Sequence, residues 1–71
     1  MELKETAAFE LETGDHILIA GCLFKVGIVN KYVEYNNDRS VEFYFYDAAA
    51  PRDIAGRLNL EGNRTIQVFR Q

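Results

Sequence analysis

The chain has one histidine, His16, and one cysteine, Cys22, and this pair is the first candidate for chemistry. A thiolate beside an imidazole base can act as a nucleophile, and both groups are good zinc ligands. A closed zinc site needs four ligands, however, and neither a Cys-x-x-Cys spacing nor a third triad member occurs near the pair. We therefore expect no catalytic residue, no metal and no cofactor, and we predict that the chain is not an enzyme.

A structural interpretation accounts for the same stretch, "TGDHILIAGCLFKV". Asp15 is expected to close a turn, and His16 to begin a strand on which it faces outward. Ala20 and Gly21 then form a second turn, after which Cys22 packs as a small apolar residue. On this interpretation a hairpin sets the spacing of the histidine and the cysteine.

The run "EFYFYD" offers a different kind of site. If Phe43 and Phe45 point inward, Tyr44 and Tyr46 point outward from the same strand. Two tyrosines in line can stack on nucleic-acid bases or anchor a protein or self interface, or a loop or the N-terminal segment can cover them. The acidic residues that flank the run repel phosphates, which argues against the nucleic-acid interpretation.

Charge is unevenly distributed along the chain, whose net charge is −3. The acidic excess lies in residues 1–15, whereas residues 51–71 carry four arginines against two acids. These ends can pair within one molecule, remain solvated, or meet head to tail between subunits. The arginines could also form a patch for an anionic ligand if Arg52, Arg57, Arg64 and Arg70 converge. The net negative charge disfavours long-range attraction of polyanions.

Alternation of apolar and polar residues with a period of two dominates the chain and predicts strands. Gly27 interrupts the longest of these runs, where a bulge or sharp bend is expected. Helix signals are thin: residues 48–55 are predicted to form a loop with at most one short helical turn, and residues 5–11 an extra edge strand or an arm. The predicted strands are residues 16–20, 22–35, 40–47, 56–60 and 65–70.

These elements predict a single all-β domain over residues 1–71, folded as a small, partly open barrel of five or six antiparallel strands. Strand phase assigns Leu18, Tyr44, Tyr46 and Phe69 to the face opposite the core. The predicted core comprises Ile17, Ile19, Phe24, Val26, Val41, Phe43, Phe45, Leu58, Leu60, Ile66 and Val68.

The stretches "LETGDHILIAGCLFKV" and "LNLEGNRTIQVF" resemble the small SH3-like barrels, which include short proteins encoded by bacteria and phages. The second stretch is also similar to the second Sm signature: an apolar residue, Arg, Gly, Asn and a closing strand. Glu61 stands where that signature has its RNA-contacting arginine. The resemblance covers residues 11–70 and implies an SH3-like or Sm-like barrel. It further implies a phage accessory protein or an inhibitor of a host factor.

We predict a non-enzymatic interaction module that self-associates and binds a protein partner. The alternative is a nucleic-acid-binding barrel that uses the outward tyrosines and the arginines. So short a chain buries a limited core, and its one cysteine allows no intrachain disulfide, which favours a homo-oligomer. Without a signal-peptide core or a long apolar run, we expect a cytoplasmic protein with no membrane attachment. The predicted interaction surface comprises Leu18, Tyr44, Tyr46, Arg64, Phe69 and Arg70.

Overall fold

A computed structural model describes residues 2–70, apart from the side chain of Pro51. It is all-β: six antiparallel strands form one sheet, and the helical structure amounts to one short 3-10 helix over Ala8–Glu10. The strands are β1 (Glu2–Ala7), β2 (His16–Ile19), β3 (Cys22–Val33), β4 (Arg39–Asp47), β5 (Ala50–Glu61) and β6 (Thr65–Arg70).

The strand order is β1-β6-β2-β3-β4-β5, so β2 to β5 form a meander and β6 returns to pair with β2. In a flat sheet of this order β5 and β6 would lie about 19 Å apart, because neighbouring strands are about 4.8 Å apart. Only residues 62–64 connect them, and the chain from 61 to 65 can span at most about 14 Å. The sheet must therefore curl. Across residues 2–70 it does not close, because β5 and β6 form no ladder and β1 and β5 are its edges.

Bulges in two strands provide the curvature. The register of β3 on β4 shifts between Val26 and Val29, around the predicted irregularity at Gly27. The register of β5 on β4 shifts where Phe45 and Tyr46 are opposite Gly56 and Ile54. A bulge bends its strand and increases the local twist, so these shifts allow one sheet to wrap around a small core.

All eleven residues predicted for the core face inward. Five are buried, and the other six are half-buried against them: Ile19, Phe24, Phe45, Leu58, Leu60 and Ile66. Sequence alternation missed Ala8 and Leu11, which are both fully buried, and the half-buried Val29. Ala8 and Leu11 lie in and just after the 3-10 helix, where a period of two does not indicate which side chains face inward.

The prediction of a loop with a helical turn over residues 48–55 was wrong. β5 begins at Ala50, and the connection from β4 is a turn at 48 and 49, in which the Ala49 N–H donates to the Asp47 carboxylate (2.8 Å). The weak helix preference of the alanines cannot compete with a ladder that pairs β5 along β4. Pro51 is compatible with this strand because β5 is an edge. The segment proposed as an edge strand or arm forms the edge strand β1 and the 3-10 helix.

The turns follow the sequence signals. Ala20 and Gly21, both at positive φ (51° and 80°), connect β2 to β3 in the conformation that matches strand twist in two-residue hairpins. Asp15 closes the turn before β2: its carboxylate accepts the Glu12 N–H at 2.9 Å, and its own N–H donates to the Glu12 carbonyl. This aspartate is almost completely buried.

Arg70 completes the environment of Asp15 and connects the last strand to the first turn. Its guanidinium donates to both carboxylate oxygens of Asp15, at 2.9 and 2.7 Å, and to the Glu10 carbonyl at 3.0 Å. Burial alone would raise the pKa of Asp15, but the hydrogen bonds from Arg70 and the Glu12 N–H outweigh it, so that pKa lies below its usual 3.8. Here the acidic and basic ends pair within one chain.

We expect Arg70→Ala to lower the free energy of unfolding by about 1–2 kcal/mol. The variant loses charge-assisted hydrogen bonds and leaves the Asp15 carboxylate in place with two N–H donors fewer. The arginine side chain is 43% exposed, however, which reduces the effect. Urea unfolding at pH 7 measures it. Arg70→Lys is the matched control, because it keeps the charge but not the two-point geometry, and should recover only part of the loss.

The same contact predicts an acid dependence. Because folding lowers the pKa of Asp15, its stabilisation is complete above the unfolded pKa of about 3.9 and is lost as pH falls through the lower folded value. The wild type should therefore lose more stability than Arg70→Ala when the pH falls from neutral to below about 4. The free energy of unfolding of both proteins is measured in urea at each pH. Two curves that run parallel across this range would contradict this account.

Candidate functional site

The outer face of the sheet carries a continuous row of residues that crosses all six strands. Each member is directly opposite the next in the strand register, and directly opposite residues of antiparallel strands lie on the same face of the sheet. We call this set the outer row: Leu3, Phe69, His16, Lys25, Tyr46 and Ile54.

Two groups flank the outer row. Leu18 and Leu23, directly opposite each other, lie two residues along from His16 and Lys25 on the same face. Tyr44 lies on the other side, two residues from Tyr46. Four of the six residues predicted for the interaction surface, namely Leu18, Tyr44, Tyr46 and Phe69, thus share the outer face, each of them half-buried.

The exposed apolar residues of the outer row and of the flanking leucine pair are ones that the sequence analysis missed. Ile54 is 57% exposed, Leu3 42% and Leu23 39%. The phase of Leu23 relative to Phe24 could have identified it, because alternate residues of a strand face opposite sides. Ile54 lay in the segment assigned to a loop, and Leu3 lay before any predicted element.

Gly27 provides the space for the Tyr46 ring. A Cβ at residue 27 would overlap that ring, whose nearest atoms are Cε2, Cζ and the hydroxyl oxygen. The bulge thus serves a second purpose beyond bending β3: it lets the tyrosine lie close against the backbone of the neighbouring strand. This contact helps to make Tyr46 half-buried.

The predicted arginines are distributed over different parts of the fold. Arg57 is opposite Tyr44 on the outer face and lies 4.0 Å from the Glu42 carboxylate. Arg64 immediately precedes β6, whereas Arg70 is the last residue of β6 and binds Asp15. Neither of these two belongs to the outer row, so the structure does not place them beside the tyrosines. An anion patch that combines Arg57, Arg64 and Arg70 is not assembled.

The ladder keeps His16 apart from Cys22. His16 is opposite Lys25 and Cys22 is opposite Ile19, so three positions, about 10 Å along the strands, separate them. Alternation also places them on opposite faces. The expectation that Cys22 packs as an apolar residue was wrong: the thiol-bearing residue is exposed at the start of β3. Within residues 2–70 no three His, Cys, Asp or Glu side chains are grouped as metal ligands.

A cleft of about 620 Å³ lies at one end of the molecule, where the 3-10 helix meets the β3–β4 and β5–β6 turns. Phe9 lines the cleft. Two cations of the same chain lie over its ring, Lys31 Nζ at 5.5 Å and the Arg39 guanidinium at 5.1 Å from the ring centroid. Carboxylates form much of its rim: Glu10, Glu34, Asp38 and Glu61.

No protein-family model matches this chain, and a search of curated proteins finds no match either. No helix within residues 2–70 is long and apolar enough to span a membrane. The arguments about function therefore rest on the geometry of this chain.

Replacement of the thiol tests whether Cys22 does chemistry. Because Cys22 is exposed, Cys22→Ser should change the free energy of unfolding by less than about 0.5 kcal/mol and leave any binding activity intact. Had the residue been buried, a loss of about 1–2 kcal/mol would be expected instead. A folded Cys22→Ser protein that no longer binds its partner would restore the nucleophile or ligand interpretation.

Proposed function

We propose that this chain is a non-enzymatic interaction module that self-associates and binds a protein partner through its outer row. The observation that carries the proposal is the continuity of that row from one edge of the sheet to the other. It combines aromatic rings with exposed aliphatic side chains, the residue types that anchor protein interfaces. A small core and two open sheet edges favour association further.

We infer that the curled sheet is a partly open barrel of the SH3-like or Sm-like kind. Two features support this inference: the meander from β2 to β5, and the return of β6 to β2 across a connection of three residues. β1 is an addition that covers the second edge of β6. The resemblance of residues 11–70 to short phage-encoded barrels makes a phage accessory protein, or an inhibitor of a host factor, part of the same proposal.

The absence of catalysis in this proposal is supported by the separation of the reactive side chains. A histidine can activate a cysteine only within hydrogen-bond reach, and the ladder holds His16 and Cys22 about 10 Å apart. In the outer row His16 and Lys25 are opposite each other, and no serine, threonine or cysteine lies directly opposite either of them in the register.

Nucleic-acid binding is the second candidate because one observation favours it. Tyr44 and Tyr46 share the outer face with Lys25 and Arg57, so aromatic rings and cations occur together. Glu42 works against this function, since its carboxylate lies beside Arg57. The net charge of −3 also gives no general attraction for phosphates.

The double variant Tyr44→Ala/Tyr46→Ala tests the site. If the rings anchor a protein interface, partner binding should weaken by about 2–4 kcal/mol, with little response to salt because aromatic burial is not Coulombic. Partners captured from a lysate of the source cells by the immobilised wild type are identified first and then titrated against each variant. Thr65→Ala/Gln67→Ala, on the same face but outside the outer row, is the matched control and should bind as the wild type does.

Loss of the tyrosines could also disturb folding, since Tyr46 packs over Gly27. Leu3→Lys/Ile54→Lys avoids this because both residues are exposed, and it should weaken the same binding in a protein of unchanged thermal stability. Fluorescence anisotropy with oligonucleotides separates the two candidate functions. Sub-micromolar, salt-sensitive binding that disappears in the double tyrosine variant would favour the nucleic-acid function instead.

Self-association has its own measurement. We expect the protein not to be a monomer at micromolar concentration, because its edges and outer apolar residues are open. Light scattering over two decades of concentration should show a mass that falls towards the monomer value only on dilution. A monomer mass throughout the series would contradict this part of the proposal.

A further inference from the structure

The second half of β5 is a regular, open sheet edge. Residues 57–61 pair with Ser40–Tyr44 of β4 without any register shift, because the bulges of β5 all lie before Arg57. Among the described residues no strand pairs with the other edge of β5. The 3-10 helix nearby donates its backbone N–H groups to the carbonyls of Gly62 and Arg64, beyond the strand. An open edge of this kind is a template for another strand.

We propose that two copies of this chain dimerise through this edge, with Arg57–Glu61 of one copy antiparallel to the same residues of the other around a two-fold axis at Asn59. The proposal rests on the self-association proposed above and names its surface. The partner of the β5 edge is thus a second copy of this chain, whereas the outer row remains the surface for a different protein.

The sequence of this segment, Arg-Leu-Asn-Leu-Glu, is self-complementary when it is read antiparallel. With Asn59 opposite itself, Arg57 is opposite Glu61 of the second copy, and this pair occurs twice by symmetry. Leu58 is likewise opposite Leu60. Opposite charges on one face and apolar pairs on the other are the cross-strand combinations that stabilise antiparallel sheets.

The faces match as well. When an antiparallel pairing of two copies centres on one residue, its two-fold axis is normal to the sheet. The inner faces of both copies then lie on the same side of the joined sheet. Leu58 and Leu60 are half-buried at the open side of the core. The second copy would cover part of their remaining surface, so the dimer would continue the apolar interior across the edge.

The other edge is unsuited to the same arrangement. A two-fold pairing of β1 that uses most of the strand centres on Lys4 or on Glu5, and each choice sets like charges directly opposite each other. Centring β5 on Arg57 does the same, and centring it on Leu58 or Leu60 removes the double Arg–Glu match. Asn59 is the centre that pairs all five residues with favourable partners.

Disulfide trapping tests the axis directly. In a Cys22→Ser background, Asn59→Cys places two thiols opposite each other, at a Cα separation of about 4.5–5.5 Å, which suits a disulfide. Mild oxidation at micromolar concentration should give a covalent dimer at least about tenfold faster than the matched control Glu5→Cys, which places an exposed thiol on the other edge strand. Equal rates, or faster trapping through residue 5, would overturn the proposal.

Charge reversal provides the second measurement. Glu61→Arg should weaken dimerisation about tenfold, because both Arg–Glu pairs become Arg–Arg pairs. Arg57→Glu should act in the same direction, although it also disturbs the contact with Glu42. The double variant Arg57→Glu/Glu61→Arg restores opposite charges and should recover most of the wild-type affinity. Independent, additive losses without recovery would contradict the register.

The outcomes distinguish this inference from the function on which it rests. A wild type that dimerises but is not trapped at residue 59 overturns the β5 edge as the interface and leaves self-association intact. A wild type that is monomeric throughout the concentration series overturns both. Partner capture that depends on the outer row is measured separately, and its failure would count against the proposed function alone.

Discussion

The connection between β5 and β6 constrains the whole molecule. Three residues join two strands that a flat sheet would hold about 19 Å apart, so the sheet has to curl. The bulges at Gly27 and before Gly56 provide the bend, and both glycines are crowded by an aromatic ring of β4. A Cβ at residue 56 would lie 2.5 Å from Phe45 Cζ on the inner side, as one at residue 27 would overlap Tyr46 on the outer side. The same two glycines therefore lie where the sheet bends and leave room for the aromatic rings of β4.

A sheet curled in this way has a small interior, and the chain fills it by different means at its two ends. Near the turns, Ala8 and Leu11 are buried in and just after the 3-10 helix, and the Asp15–Arg70 contact connects the first turn to the last strand. At the other end Phe24 and Phe45 pack edge to face at 4.9 Å but stay half-buried. Because the core has little room, large apolar side chains remain on the outer face, and these make up much of the outer row.

Local alternation predicted the faces of the strands well, because the period of two is a property of each strand alone. It placed Phe43 and Phe45 inward and Tyr44 and Tyr46 outward before any partner strand was known. It failed where structure depends on distant residues. β5 exists from Ala50 onward because β4 lies beside it. The contact between Asp15 and Arg70 joins residues 55 positions apart. The outer row is visible only once the register aligns six strands.

The two edges of the sheet differ in a way that connects association with recognition. β1 is short and charged, the usual protection of an exposed edge, whereas β5 keeps a regular, self-complementary segment. The outer row ends at Ile54, three residues before that segment. Because a two-fold axis normal to the sheet keeps both outer faces on one side, pairing of β5 would present two outer rows to the same partner. If the partner carries two copies of its binding surface, the second contact with such a dimer is intramolecular. The overall affinity then exceeds that of a single outer row without any new kind of contact.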